Sequence, residues 1–286
     1  MIKKNDAYLQ EFDKSFTQRW LSDLHLDSKY TDKKKVKHLF EEALEKNYQI
    51  IIIGDLFDIM GMRMDFRSTK SDIKEALREE NYVNLVVKEV AEFLAPYIDC
   101  IGLITVGNHE KEFEKRAELY LLEILNLYIH KMTGKEIMVS NDYAGYMIMR
   151  GGRSVKDRIQ TKQSCTIFFN HGKDSNAAMS LGALNVKRNA ATIDADIFIS
   201  GHIHRNLLAP LNRIYLTNGG TIMVKEQLHI QLGTAKESKG NDYFSARRGF
   251  DPASTSFYDI HYKYVRKSVD GVDASQIEYI EQRVKL

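Results

Sequence analysis

An α/β sandwich is the fold class that this 286-residue sequence predicts. Three observations point to it. The stretch Gln49–Ile53 ends in four consecutive isoleucines, β-branched and apolar on both faces, which suits a central strand covered on both sides. Strand-like and helix-like stretches then alternate along the chain, the order that packs helices against sheets. Finally, five apolar stretches each end in a short turn bearing Asp, Asn or His, and open α/β sheets place their sites outside the carboxyl ends of strands.

Each element has its own reason. Residues 16–22 read as a first strand. Residues 32–47 put Val36, Leu39, Phe40, Ala43 and Leu44 on one helical face. The isoleucine strand follows, and Gly54 lets the backbone turn tightly behind it. Ser71 can cap a helix carrying Ile73, Leu77, Val83, Leu85, Val86, Val90, Phe93 and Leu94, stopped by Pro96. Residues 101–106 predict a third buried strand. Residues 112–131 predict one amphipathic helix closed near Gly134, and 137–150 strands or a hairpin. Further short strands are expected at 166–169, 196–200, 214–216 and 221–224, with a helix over 175–191. Past Thr234 the text turns rich in Gly, Ser, Lys and Arg, so 1–234 reads as the core domain. Residues 235–286 read as an extension packing on it, with a last strand at 257–264 and a charged tail.

Composition narrows the class. The chain is 43% hydrophobic and 28% charged, enough for a sizeable core, and its formal net charge is +2, so bulk electrostatics does not mark a nucleic-acid binder. Cys100 and Cys165 lie inside apolar runs and read as buried free thiols, which suits a reducing cytoplasm. No window reaches the apolar length of a membrane span, and the first residues have no signal-peptide core.

The turns carry the chemistry. In order they read S-D-L-H (Asp23, His25), G-D-L-F-D (Asp55, Asp58), V-G-N-H-E (Asn108, His109), F-F-N-H-G (His171) and S-G-H-I-H (His202, His204). Asp offers hard anionic oxygen, Asn a neutral oxygen and His a borderline nitrogen. This mixed set suits Mn, Fe or Zn ions and excludes a thiolate site. The D-x-H and H-x-H spacings place both side chains on one side of an extended strand end. There are too many ligands for one ion, so two divalent ions bridged by one carboxylate is the natural count. His38, His130, His229 and His261 read as ordinary residues, Asp27 as a turn residue and Glu110 as the cap of the following helix. Arg63, Arg67 and Arg116 are candidates to grip a phosphate, whereas Arg247 and Arg248 read as a solvated surface.

The ordered set D-x-H, G-D-x-x-D, G-N-H-[DE], isolated His and G-H-x-H resembles the calcineurin-like metallophosphoesterase superfamily. That resemblance implies a four-layer α-β-β-α sandwich with the site at the carboxyl ends of the central strands. It implies that Asp23, His25 and His204 hold one metal, that Asn108, His171 and His202 hold the other, and that Asp55 bridges them. His109 matches a histidine that faces substrate, and Asp58 the acid that hydrogen-bonds it. The implied reaction is direct phosphoester hydrolysis by a metal-bridging hydroxide, with His109 assisting the leaving oxygen. Ile59 stands where the family's protein phosphatases carry Arg, and Gly172-Lys173 where they carry a Gly pair, which argues against a phosphoprotein substrate. Residues 54–72 and V-G-N-H-E are similar to phage and prophage members, and G-D-L-F is shared with repair nucleases. The expectation is therefore a phosphodiesterase on DNA, RNA or a nucleotide. A phosphomonoesterase on a nucleotide, metabolite or phosphoprotein and an inactive binding scaffold are the alternatives.

Overall fold

A computed structural model describes residues 1–59, 81–152, 163–173, 183–237, 253–269 and 272–286. It contains two sheets. Sheet B holds β3 (Ser15–Leu21), β4 (Gln49–Ile53), β5 (Ile101–Thr105) and β6 (Val139–Ser140) in parallel, extended by β12 (Ser256–Val269) and β13 (Val272–Lys285) in the order β13-β12-β3-β4-β5-β6. Sheet A runs β1-β2-β7-β8-β9-β11-β10. Its strands are β1 (Ile2–Lys4), β2 (Ala7–Phe12), β7 (Ala144–Gly151), β8 (Gln163–Asn170), β9 (Ile197–Ser200), β10 (Leu207–Leu216) and β11 (Ile222–Gln231).

The sheets face each other through alternate side chains. Trp20 of β3 meets Phe169 of β8 with ring centroids 6.0 Å apart, and Phe12 of β2 meets Tyr262 of β12 at 6.3 Å. Ile50 to Ile53 have no accessible surface at all, as the sequence predicts for a strand covered on both faces. The outer face of sheet B is roofed by α1 (Lys33–Glu45), α2 (Tyr82–Leu94) and α4 (Leu121–Thr133), with Phe40 of α1 against Phe93 of α2. Asp32 caps α1 by accepting from the amides of Lys34 and Lys35. Leu44, expected on the buried face of α1, turns to solvent. On sheet A, α5 (Ala183–Thr192) supplies the outer layer among the described residues, and the fold is the four-layer α/β sandwich.

Several elements depart from the sequence reading. The helix expected over 112–131 is two, α3 (Asn108–Ala117) and α4, separated at Glu118, whose φ is +55°. Phe113 and Leu121 are eight residues apart, so one unbroken helix also aligns them; the break lets α3 begin at the site while α4 packs on α2. The stretch 137–150 is not a hairpin: β6 pairs with β5 in sheet B and β7 with β2 and β8 in sheet A. β10 and β11 are ten residues each rather than three or four. Residues 2–12, unassigned from the sequence, form β1 and β2, and the charged tail forms β13. β12 pairs with β3 along six residues, so residues beyond Thr234 build the central sheet itself. Ser71 and residues 175–182 of the predicted helices lie outside the described residues. So do Arg63, Arg67, Arg247 and Arg248.

One buried ion pair ties β12 into place. The Arg19 guanidinium donates to Asp259 Oδ1 and Oδ2 at 2.7 and 2.8 Å, to Leu39 O at 2.7 Å, and pairs with Glu42 at 2.8 Å. Asp259→Ala leaves the buried guanidinium with Glu42 as its remaining acid. The expected loss of stability is about 3 kcal/mol, the lower end for breaking a buried pair, read as a lower urea midpoint; a loss under about 0.5 kcal/mol would show that β12 is held without it.

Candidate metal centre

Strands β3, β4, β5, β8 and β9 all deliver their C-terminal turns to one place. Asp23 and His25 follow β3, Asp55 and Asp58 follow β4, and Asn108 opens α3 after β5. His171 follows β8, and His202 and His204 follow β9. The turns are stitched together through their backbones: the amides of Asp23, His25 and Leu26 donate to the carbonyls of Gly54, Asp55 and Leu56. Glycine is needed where they cross. Gly54 has φ +80°, and a Cβ there would lie 2.3 Å from His171 Nδ1; a Cβ on Gly107 would lie 2.1 Å from Asp55 Oδ1.

Two trios result. Asp23, His25 and His204 bring ligand atoms within 4.8 Å of one another, and so do Asp55, His171 and His202. His204 Nε2 is 3.1 Å from Asp23 Oδ1, and His171 Nε2 is 3.2 Å from Asp55 Oδ2. Asn108 Oδ1 joins the second trio, 3.1 Å from His171 Nε2 and 2.7 Å from His202 Nδ1. Asp55 also lies between the trios, with Oδ2 4.0 Å from His25 Nε2. All seven predicted ligands therefore meet. Their backbones are not the extended strand ends that the D-x-H and H-x-H spacings suggested: Asp23, His25, Asp55, His202 and His204 all have φ between +43° and +73°. Such conformations cost side-chain-bearing residues on the order of 1 kcal/mol each and cluster where function requires them.

The donor set fits metal ions. His171 Nδ1 lies 2.9 Å from the carbonyl of Ile53, which takes its proton and leaves Nε2 as the ligand nitrogen. His25 Nε2 is buried without a hydrogen-bond partner, 3.9 Å from Asp23 Oδ1 and 4.0 Å from Asp55 Oδ2. That is too far to hydrogen-bond, yet within the roughly 4.2 Å that is the greatest separation of two ligands each about 2.1 Å from one ion. Charge points the same way. Burial works to raise the Asp23 carboxyl, but His171 and His204 outweigh it and hold it at about 2. Burial works to lower His171, but Asp55 and Asp23 drive it up to about 10. The buried carboxylates demand positive charge, and without a metal His171 carries it as a proton.

Three residues support the centre: Asp27 and Glu110, beyond the turn and cap roles that the sequence assigned them, and Lys236, which the sequence did not single out. The Asp27 carboxylate, expected in a simple turn, is buried and accepts from the amides of Asp58 (2.5 Å) and Ile59 (2.8 Å) and from the Tyr82 hydroxyl. From the other side Glu110 accepts from the amides of Asp55 (3.0 Å), Phe57 (2.9 Å) and Gly107 (2.8 Å), so it both caps α3 and clamps the loop after β4. Burial and then Asp55 push Glu110 up to about 7. Lys236 donates to both oxygens of Asp58, at 2.9 and 3.1 Å. It follows no recognisable motif and lies 178 residues from its partner.

Asp58 and His109 are arranged differently from the expectation. His109 Nδ1 is 2.5 Å from the backbone carbonyl of Asp58 and 3.8 Å from its carboxylate. The carboxylate turns to His25 Nδ1, 3.1 Å away, and to Lys236. Since Lys236 already supplies a cation, the cluster His25, Asp58 and His109 needs no metal of its own. His109 Nε2 stands 3.8 Å from Asp55 Oδ2 at the mouth, its side chain 15% exposed. Arg116, a candidate phosphate grip, has its guanidinium on Glu112. His38 and His130 are exposed, His261 bonds Thr17, and His229 stacks on Phe198 at 4.2 Å, all outside the trios.

A sign follows for pH. His171 has a folded pKa raised above its ordinary 6.5, so its contribution is complete below that pH and is lost as pH rises through about 10. Glu110, raised from its ordinary 4.5 to about 7, loses its contribution between those two values, so the end of that loss overlaps the start of the His171 window. Chelator-treated protein is expected to melt at progressively lower temperature from pH 6 to pH 10, and divalent metal added at pH 8 to release protons, read by calorimetry in buffers of different ionisation enthalpy. A metal-free melting temperature that is flat or rising over this range would contradict the assignment.

No curated protein matches the chain in sequence. Among solved structures, a conserved protein of Streptococcus pneumoniae described as a predicted phosphoesterase is 12% identical, with 92% of this chain and 98% of that one covered and a TM-score of 0.33. A metallophosphoesterase from Sphaerobacter thermophilus is 12% identical over 94% and 89% of the two chains, with a TM-score of 0.34. GAP50, the anchor in the inner membrane complex of Plasmodium, is 11% identical over 96% and 89%, with a TM-score of 0.42. The model of the calcineurin-like phosphoesterase family matches residues 20–206. Those residues hold all five turns that carry the candidate ligands, and the chain belongs to the calcineurin-like phosphoesterase family.

Proposed function

We propose that the chain hydrolyses phosphodiesters of nucleic acid or nucleotides with two divalent ions, Mn foremost, with Fe and Zn also suited to the mixed oxygen and nitrogen donors. The observation that carries this reading is the pair of ligand trios flanking Asp55 with His109 at their mouth. In this reading Asp23, His25 and His204 hold one ion, Asn108, His171 and His202 the other, and Asp55 both. Ions held there supply Lewis acidity, lowering the pKa of water and neutralising charge on the phosphoryl group.

The chain's own groups do the rest. The amide of His109 donates to Asp55 Oδ1 at 3.0 Å and the amide of His202 to Asp23 Oδ2 at 2.9 Å, which fixes the carboxylates before any ligand arrives. With its Nδ1–H given to the carbonyl of Asp58, His109 presents Nε2 outward as the proton carrier for the leaving oxygen. Arg63 and Arg67, beyond the described residues, are proposed to grip the substrate phosphate. The diester preference rests on the similarity of residues 54–72 and V-G-N-H-E to phage and prophage members and of G-D-L-F to repair nucleases, while Ile59 speaks only against a phosphoprotein substrate. Two buried free thiols, Cys100 and Cys165, suit action in a reducing cytoplasm. Among the described residues no helix is long and apolar enough to cross a membrane.

With Mn²⁺ the protein is expected to hydrolyse a bis-aryl phosphate faster than the mono-aryl ester, and chelator to abolish both. Faster monoester turnover would assign it to the phosphomonoesterases; no turnover of either, with metal bound, would leave a binding scaffold. His109→Ala is expected to keep both ions while the turnover number falls about 10²–10⁴-fold. Loss of metal in that variant would overturn the role given to His109.

A further inference from the structure

The Asp58 carboxylate stands between two histidines. Its Oδ1 is 3.1 Å from His25 Nδ1 and 3.8 Å from His109 Nδ1, and the two rings lie 5.0 Å apart, centroid to centroid, nearly at right angles. A turn of this one side chain would exchange one partner for the other while the Asp58 amide stays on Asp27. A third group holds it on His25. Lys236 Nζ lies 2.9 Å from Oδ1 and 3.1 Å from Oδ2, which fixes the plane of the carboxylate. Lys236 is itself tethered on both flanks. Thr234 Oγ1 and the amide of Ala235 donate to Asp23 O at 2.7 and 3.0 Å, and the amide of Glu237 donates to Tyr30 O at 2.9 Å. The Lys236 amide donates to Thr234 Oγ1 at 3.1 Å, and Glu237 pairs with Lys35 of α1. The ammonium is thus delivered to one place, and its side chain is only 23% exposed.

We propose that Lys236, which lies beyond the family-matched residues 20–206, is a positioning residue that commits the Asp58 carboxylate to His25 and withholds it from His109. The assignment rests on the reading of His25 as a metal ligand. A histidine that binds a metal through one ring nitrogen gives the other to a carboxylate, a carbonyl or water, and that contact fixes the ring and raises its basicity. His25 Nε2 faces Asp23 and Asp55 at 3.9 and 4.0 Å, so Nδ1 is the nitrogen left for Asp58. His109 is served instead by the backbone carbonyl of Asp58, a neutral acceptor, at 2.5 Å. The full negative charge therefore backs the candidate ligand, and only a carbonyl dipole backs the histidine at the mouth. Lys236 accounts in this way for the departure of Asp58 from the partner that its sequence position implies.

Calorimetric titration of chelator-stripped protein with Mn²⁺ tests the assignment. Removing a cation beside the centre would, by charge alone, tighten metal binding. The positioning role predicts the opposite sign: in Lys236→Met the affinity for one ion is expected to fall roughly 10–100-fold, the usual cost of losing the partner behind a ligand histidine. Lys236→Arg, which keeps a two-pronged grip on a carboxylate, is expected to lose less. A crystal structure of metal-free Lys236→Met is expected to show the Asp58 carboxylate within hydrogen-bond reach of His109 Nδ1. Should Lys236→Met not fold, the uncharged Lys236→Gln carries the same expectations. Unchanged or tighter Mn²⁺ binding, an Arg variant as damaged as the Met variant, or an Asp58 still seated on His25 would each overturn the proposal. No phosphoester enters these measurements, so a protein that binds Mn²⁺ as expected but hydrolyses nothing would sink the proposed reaction alone. Wild-type protein that binds no Mn²⁺ would overturn both.

Discussion

Three carboxylates, those of Asp23, Asp55 and Asp58, lie almost wholly buried at the end of sheet B. Like charges so close, and so far from water, repel strongly, and the ionised state persists only if positive charge lies among them. The fold answers in two ways. Lys236 reaches Asp58 from the segment after Thr234. Asp23 and Asp55 have histidines instead, and His171 is driven up to about 10 by the burden of balancing them. A histidine proton is a replaceable cation, and that replaceability makes the cluster a place for metal rather than a structural ion pair.

Holding such a cluster requires backbone that would not otherwise adopt its shape. Five of the seven candidate ligand residues have left-handed φ values. Their strain is offset by hydrogen bonds made from beneath: Glu110 and Asp27 between them accept from the amides of Asp55, Phe57, Asp58 and Ile59, so the loop after β4 is gripped from both sides. The segment after β11 completes the frame. Thr234 Oγ1 and the amide of Ala235 both donate to Asp23 O, and Ser254 N donates to His204 O. The C-terminal residues thus belong to the site's support as much as the family-matched core does.

The candidate ligands were legible as a set because each stands in a short turn directly behind an apolar strand, and their order along the chain matches a known pattern. The isoleucine strand was legible from its side chains alone. What supports the ligands was not. Asp27 looks like any turn aspartate, because nothing local reveals that it will be buried against the amides of Asp58 and Ile59. Lys236 stands in polar, motif-free text, and its partner is fixed only by tertiary folding. The end of α3 at Glu118 is hidden because the apolar positions continue in phase across it. β13 pairs along fourteen residues with β12, but its charged text lacks the alternation that announces a half-buried strand.

The most direct measurement is anomalous diffraction from crystals soaked in Mn²⁺. The account expects two peaks within coordination distance of Asp55, one also touching Asp23, His25 and His204 and the other Asn108, His171 and His202. A single peak at Asp58, or none among these side chains, would contradict it.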